Sequence, residues 1–331
     1  MRPASFPELS RSPLSRRRFI AATGSLAAVE SCGRPAAPWP AVSIRRMNSY
    51  SGDLTGMLRD ILAEHRMDVR GKRVVLKPNL VEFDQRTAIN THPALVHAAR
   101  EAFLAAGAAE VRIAEGPGHR RVTLDLADAA GYFSTIHGFE NLFTDLNLDE
   151  LTAVALASPK SKLSSLYLPN TVLACDLLVS MPKLKTHHWA GATLSMKNLF
   201  GLVPGGVYGW PKNVLHWAGI HECIADLHGL FPRSFAIVDG IVGMEGNGPI
   251  QGTPRAAGVI VAGASRAAVD ATCCRIMGLD PARIGYLDLV AGSDGLREER
   301  IPQIGERIDA VASRFAVLPE LESLRLAAGA R

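Results

Sequence analysis

Three ammonium groups and two imidazoles crowd one short stretch of this chain. In Met181 to Gly206, MPKLKTHHWAGATLSMKNLFGLVPGG, the residues Lys183, Lys185, His187, His188 and Lys197 stand among small and apolar neighbours. Cations gathered at one strand end are costly unless an anion or a metal compensates them. Lysines suit a carboxylate or phosphate, and imidazoles, titrating near neutral pH, suit proton transfer. Lys197 falls at the start of a short helix, where the dipole disfavours a cation. A lysine held there has an anionic partner or a covalent role. His187 and His188 are adjacent, so a regular strand or helix turns only one of them into a site.

Other chemistry-bearing residues fall at the ends of further apolar runs. Arg73–Leu76 leads to Lys77 and Asn79, Glu110–Ala114 leads to Glu115 and His119, and Phe235–Val238 leads to Asp239 and then Glu245. Asp239 and Glu245, with His216, are candidate ligands for a hard cation such as Mg²⁺. The alternative for the two acids is an Asx turn plus an exposed side chain, and the residues alone leave both open. The loop through Gly243, Gly246, Gly248 and Gly252 would let backbone N–H groups approach a ligand closely. It contains neither a P-loop nor a dinucleotide fingerprint. His216 and His221, five residues apart on a helix, do not share a face.

The elements that must position these groups follow a βαβ rhythm. Ala41–Met47 is a first strand, Asp53 caps a helix to about Arg66, and Arg73–Leu76 is a strand. A helix from Pro93 to Ala106, closed by Gly107, precedes the strand at 110–114. Thr123 caps a short helix, Thr152–Leu156 and Ser165–Leu168 are strands, and 176–181 runs into the central stretch. Asn213–Leu230 reads as one helix; a strand at 257–262, a helix at 265–277 and a helix from Asp280 follow. The fold class expected is α/β: a mainly parallel sheet with helices on both faces and a cleft at the carboxyl ends of the strands. Residues 41–331 form either one unit or two lobes, 41–180 and 181–331.

The first 32 residues read as an address. Ser15-Arg16-Arg17-Arg18-Phe19-Ile20 and the weakly apolar run to Val29 fit a twin-arginine export signal, and 33–40 is a Pro/Ala linker. The apolar run is too short for a membrane span. Export to the periplasm or beyond is the localisation expected, through the twin-arginine translocon. Cys32, after Val-Glu-Ser, is a lipid-anchor candidate in a poor lipoprotein box. The chain's 36 Lys+Arg and 32 Asp+Glu include five Arg and two Glu before residue 33, leaving 31 basic against 30 acidic groups. That balance gives no case for nucleic acid. Cysteines at 32, 175, 223, 273 and 274 spell neither a zinc ribbon nor a ferredoxin-type cluster.

Lys77-Pro78-Asn79-Leu80, Pro182 to His187, Met196 to Gly201, Asp239-Gly240-Ile241 through Gly248-Pro249, and Ala268 to Ala271 resemble, in order, the family of domain of unknown function 362. The resemblance spans nearly the whole chain after the signal. Many members of that family carry Cys-rich ferredoxin modules, which implies a redox partner; this chain lacks those clusters. A second, local resemblance is to the lactate racemase superfamily. His187-His188-Trp189-Ala190-Gly191 with Lys197 is similar to its H-x-x-A-G … K segment, and Gly118-His119-Arg120 with Thr123 to its G-x-H-R-x-x-T. It implies His119 and His187 as an acid/base pair and Lys197 as the anchor of a covalently held nickel cofactor, with His216 or His221 as a further nickel ligand. Where that superfamily has two glycines before the lysine, this chain has Leu194-Ser195.

The function expected is an exported enzyme for a small anionic molecule. His119, His187 and Lys197 are its catalytic candidates; Lys77, Asn79, Lys183, Lys185 and Asn198 are its substrate-binding candidates. A divalent metal or the nickel cofactor is the expected cofactor, with isomerase or oxidoreductase chemistry. The rival is a non-catalytic periplasmic protein that binds an anion or metal or matures a cofactor.

Overall fold

Twelve strands carry the architecture of the computed structural model, which describes residues 38–119, 122–292 and 295–327. They are β1 Val42–Arg46, β2 Arg73–Pro78, β3 Glu110–Glu115, β4 Phe143–Asp145, β5 Leu151–Ala155, β6 Ser165–Pro169, β7 Leu177–Met181, β8 Lys183–His187, β9 Gly191–Thr193, β10 Ser234–Glu245, β11 Thr253–Gly263 and β12 Gln303–Gly305. The export signal, Cys32 and most of the linker lie outside the described residues. The described residues belong to one compact unit.

One sheet runs in the order β12-β1-β11-β10-β7-β2-β3-β4. From β10 to β4 every pairing is parallel, while β11 is antiparallel to both β1 and β10. Residues from both 41–180 and 181–331 build it. Its central strands are apolar on both faces: Val75, Leu178, Ala236 and Val238 pack into one hydrophobic cluster, Val74, Leu76, Val179 and Ile237 into another. Two-sided burial is what a parallel sheet demands, and it explains why these strands read as unbroken apolar runs. β5 and β6 form a separate antiparallel pair.

Local signals set several boundaries. The Asp53 carboxylate caps the helix Leu54–Glu64 by accepting from the Gly56 N–H at 2.8 Å. Pro93 opens the helix Pro93–Ala105 and Ser265 caps Arg266–Ile276.

Three expectations are corrected. The helix read over 213–230 is two, Asn213–Trp217 and Ile220–Leu230, because Gly219 between them takes φ +113°. The glycine-rich segment from Gly240 is strand up to Glu245, paired with β11 across a bulge between Gly240 and Val242. Glycine is needed there for backbone approach: a Cβ on Gly243 would crowd the Leu184 carbonyl at 2.5 Å. After Asp280 the chain makes a single 3₁₀ turn, Pro281–Arg283, before the helix Gly285–Ala291.

Candidate functional site

At the carboxyl ends of β2 and β3 a cavity of about 720 Å³ opens, walled also by β8, β9 and the segment from Lys197 to His216. β8 is the device that delivers the cations. Pro182 separates it from β7, and it lies parallel to β10 and antiparallel to β9. Its period of two puts Lys183, Lys185 and His187 on one face. The strand ends at His187, so His188 already belongs to a turn, and both imidazoles line the cavity. The expectation that adjacency would keep one of them out is thereby corrected.

Four buried lysines line the cavity: Lys77, Lys185, Lys197 and Lys212. Glu115 is the buried carboxylate among them. Lys77 is ion-paired with Glu115 and donates to the Pro78 carbonyl and to Asn198 Oδ1, each at 2.9 Å. Asn198 returns a bond from Nδ2 to the Lys77 carbonyl at 3.0 Å. Burial draws the Lys77 pKa down while Glu115 pulls it up. Gly201 is required beside this pair, since a Cβ there would overlap the Glu115 carboxylate and the Lys77 ammonium. Lys185 donates to the carbonyls of Ile89 and Pro249 at 3.0 and 3.2 Å. Burial, then the neighbouring Lys183 and Lys197, hold its pKa well below the ordinary value. Lys212 donates to the carbonyls of Gly116 and Phe200 at 2.6 and 2.9 Å, and burial lowers its pKa to about 7.

Lys197 differs. It opens the 3₁₀ helix Lys197–Leu202, and its Nζ lies 3.7 Å from the centre of the Phe200 ring. It has no oxygen or nitrogen partner among the described residues. Burial, then Lys77, push its pKa down to about 7. Its backbone is fixed from outside the cavity. The buried Asp270 carboxylate accepts from Ser195 N at 2.8 Å, from Met196 N at 3.0 Å and from Ser195 Oγ. Two further acceptors in or beside the wall are empty-handed: Asn79 Oδ1 and Thr193 Oγ1 are buried with no hydrogen-bond partner.

The histidines are fixed in different tautomers. His187 Nδ1 accepts from the backbone N–H groups of Trp189 and Ala190 at 3.0 and 3.2 Å. Neutral His187 therefore carries its proton on Nε2. Burial, then Lys197, keep its pKa well below the ordinary histidine value. In His188 and His216 the Nδ1 lies against a carbonyl, Gly248 at 2.8 Å and Lys212 at 3.0 Å. There Nδ1 holds the proton and Nε2 keeps a lone pair. Exposed Trp189 stands between them, 5.0 Å from the His188 ring and 5.3 Å from the His216 ring.

Of the residues singled out in the sequence, Lys77, Asn79, His119, Lys185, His187, Lys197, Asn198 and His216 all line this cavity. Lys183, Asp239 and Glu245 do not. Lys183 pairs with Asp239 at 2.7 Å, and Asp239 also accepts from Tyr50 Oη at 2.8 Å and His92 N at 2.9 Å. Both side chains are buried and both Asp239 oxygens are engaged, so this carboxylate is committed to an internal ion pair away from the cavity. Glu245 accepts from Ala316 N at 2.9 Å instead. Asp239, Glu245 and His216 therefore do not form a common ligand set, and no cluster of three or more His, Cys, Asp or Glu fit for a metal occurs among the described residues. Lys212 was missed because its sequence context, Trp-Pro-Lys-Asn, reads as a turn; its φ of +67° is the left-handed turn conformation. His188 was undervalued by the strand argument, and Glu115 was legible as a strand-end acid.

A parallel α/β sheet with a cationic cavity beyond its strand ends is the class this molecule defines. Residues 74–275 match the family described as Domain of unknown function (DUF362), and the chain belongs to that family. A thylakoid-associated protein of Synechocystis sp. is 29% identical over 255 residues, 73% of this chain and 76% of that protein. Among solved structures, the lactate racemase apoprotein from Thermoanaerobacterium thermosaccharolyticum aligns with a TM-score of 0.42 and 15% identity. The alignment covers 72% of this chain and 57% of the racemase chain.

Proposed function

We propose that the protein is an enzyme that binds a small anion in this cavity and moves protons on it. One observation carries the reading: four buried lysines face a single buried carboxylate. Unpaired buried cations are costly, and an anionic ligand removes the cost. A cavity of this size suits a small metabolite. The tautomers assign proton roles. His187 offers Nε2–H as a donor, while His188 and His216 offer lone pairs as acceptors; His119 completes the imidazole set. Asn79 Oδ1 and Thr193 Oγ1 are acceptors for ligand hydroxyl groups.

The test combines binding and turnover. Oxalate, lactate and inorganic phosphate are screened for saturable thermal stabilisation, and lactate in D₂O is followed by NMR for deuterium entering at the α-carbon. Stabilisation with deuterium exchange supports the enzyme. Stabilisation without exchange by any small hydroxy acid supports the rival, a binding protein. No stabilisation by any anion removes the reading.

A second reading follows from the unpartnered Lys197 amine and the His216 lone pair in one cavity. Lys197 would hold a covalently attached nickel cofactor and His216 Nε2 would ligate its metal, which would supply hydride chemistry. The intact mass of protein purified from its native host separates this from an unmodified lysine. We also propose export by the twin-arginine route, on the motif at Ser15–Ile20. Arg16→Lys with Arg17→Lys is expected to trap the precursor in the cytoplasm; normal export of that variant removes the assignment. No helix among the described residues is long and apolar enough to cross a membrane.

A further inference from the structure

We propose that Lys197 is a nucleophile that forms a Schiff base with a small anionic carbonyl compound, its carboxylate or phosphate held by the neighbouring lysines. The inference rests on the anion-binding reading above and adds the chemical class of the substrate. It is argued from a contrast within the cavity. Lys77, Lys185 and Lys212 each have at least two oxygen acceptors supplied by the protein, so their nitrogens are tethered as hydrogen-bond donors. Lys197 has none among the described residues, and its nitrogen lies over the face of Phe200, 3.7 Å from the ring centre. A lysine meant to be a point charge is given oxygens; a lysine meant to react must keep its lone pair free.

The surroundings favour the free amine. Burial among apolar groups and a second ammonium at Lys77 both penalise protonation, which is the established way to make a lysine nucleophilic at neutral pH. The amine is also held still. Asp270 grips the two residues before Lys197 through three bonds, and Asn198, the residue after it, is locked to Lys77 and Ser180. In the same cavity His187 presents Nε2–H as a hydrogen-bond donor for the carbonyl oxygen.

The step balances. The Lys197 nitrogen lone pair forms a C–N bond to the carbonyl carbon, and the C=O π pair moves to oxygen, which takes one of the two protons on the nitrogen. The resulting carbinolamine loses its hydroxyl as water, with a proton delivered from an imidazolium, and the nitrogen's second proton returns to that imidazole as the imine forms. The sum is amine plus carbonyl giving imine plus water, with no oxidant or reductant.

The experiment traps that imine. The purified full-length protein is incubated separately with pyruvate, glyoxylate and glyceraldehyde 3-phosphate, reduced with cyanoborohydride, digested and mapped by mass spectrometry. The expected result is one reduced adduct on Lys197, at least tenfold above any other lysine, suppressed by excess oxalate and lost in Lys197→Arg. Oxalate binding is measured in parallel on wild type and Lys197→Arg. Oxalate binding with no adduct on Lys197 from any of the three probes overturns the Schiff base and leaves the anion site standing. Failure of oxalate, phosphate and all three probes to bind overturns both. The wild-type mapping stands even where a substitution fails to fold.

Discussion

Replacing Lys197 by Met should make the ligand-free protein more stable, and the size of the gain follows from the site. Lys197 is buried, its pKa falls from 10.5 to about 7, and burial is the main cause. The unfolded chain therefore binds more protons than the folded one between about pH 7 and pH 10.5, so this group's contribution to stability rises with pH across that window. At pH 7 the unfolded side chain is fully protonated and the folded one about half, which corresponds to a cost of about 4 kcal/mol relative to an amine that stays neutral in both states. Met has a similar length, packs against Phe200 and carries no charge. After allowance for imperfect repacking, a gain of about 2–4 kcal/mol at pH 7 is expected, shrinking toward zero near pH 10. Urea unfolding of both proteins at intervals of one pH unit reads it directly. A Met variant that is less stable at pH 7, or a difference that does not change with pH, refutes the claim that this lysine is held against its own solvation.

Asp239→Ala should fail by unfolding rather than by loss of ligand. It strands the Lys183 ammonium, Tyr50 Oη and His92 N in the interior, at a cost of about 3–5 kcal/mol; the folded fraction should bind oxalate with unchanged affinity, and a stable variant with lost affinity would return Asp239 to the site. Asp270→Asn tests the carboxylate behind Lys197. Burial raises the Asp270 pKa from 3.8 to about 7, so the folded state binds the extra proton in that interval and wild-type stability from this group falls as pH rises through it. The Asn variant should lose that slope in urea titrations between about pH 4 and pH 7, and an unchanged slope contradicts the assignment.

How much of this was legible in the sequence depends on which force sets each feature. The βαβ order, the Asp53 cap and the strand-end positions of Lys77 and Glu115 were readable, because local periodicity and capping fix them. Lys183 and Lys185 were not separable: both sit on one strand face in a Lys-Leu-Lys pattern. Only the third dimension shows that Asp239 neutralises the first and leaves the second facing the cavity. The metal set failed for the same reason, since a buried ion pair formed by residues 56 positions apart has no local signature. Lys212 entered through a left-handed turn that no periodicity announces. The tautomers of His187, His188 and His216 are set by backbone groups at two, sixty and four residues' distance, and the sixty-residue contact to Gly248 is invisible in a linear reading.

The central claim is that this cavity keeps its amines short of protons until an anion arrives. Isothermal titration calorimetry of the full-length protein with oxalate at about pH 8, in two buffers of different ionisation enthalpy, measures it. An anion raises the pKa of Lys212 from about 7, so binding should occur at one site with net uptake of about one proton, seen as a heat that changes with buffer. Equal heats in the two buffers, or no binding, would contradict the account.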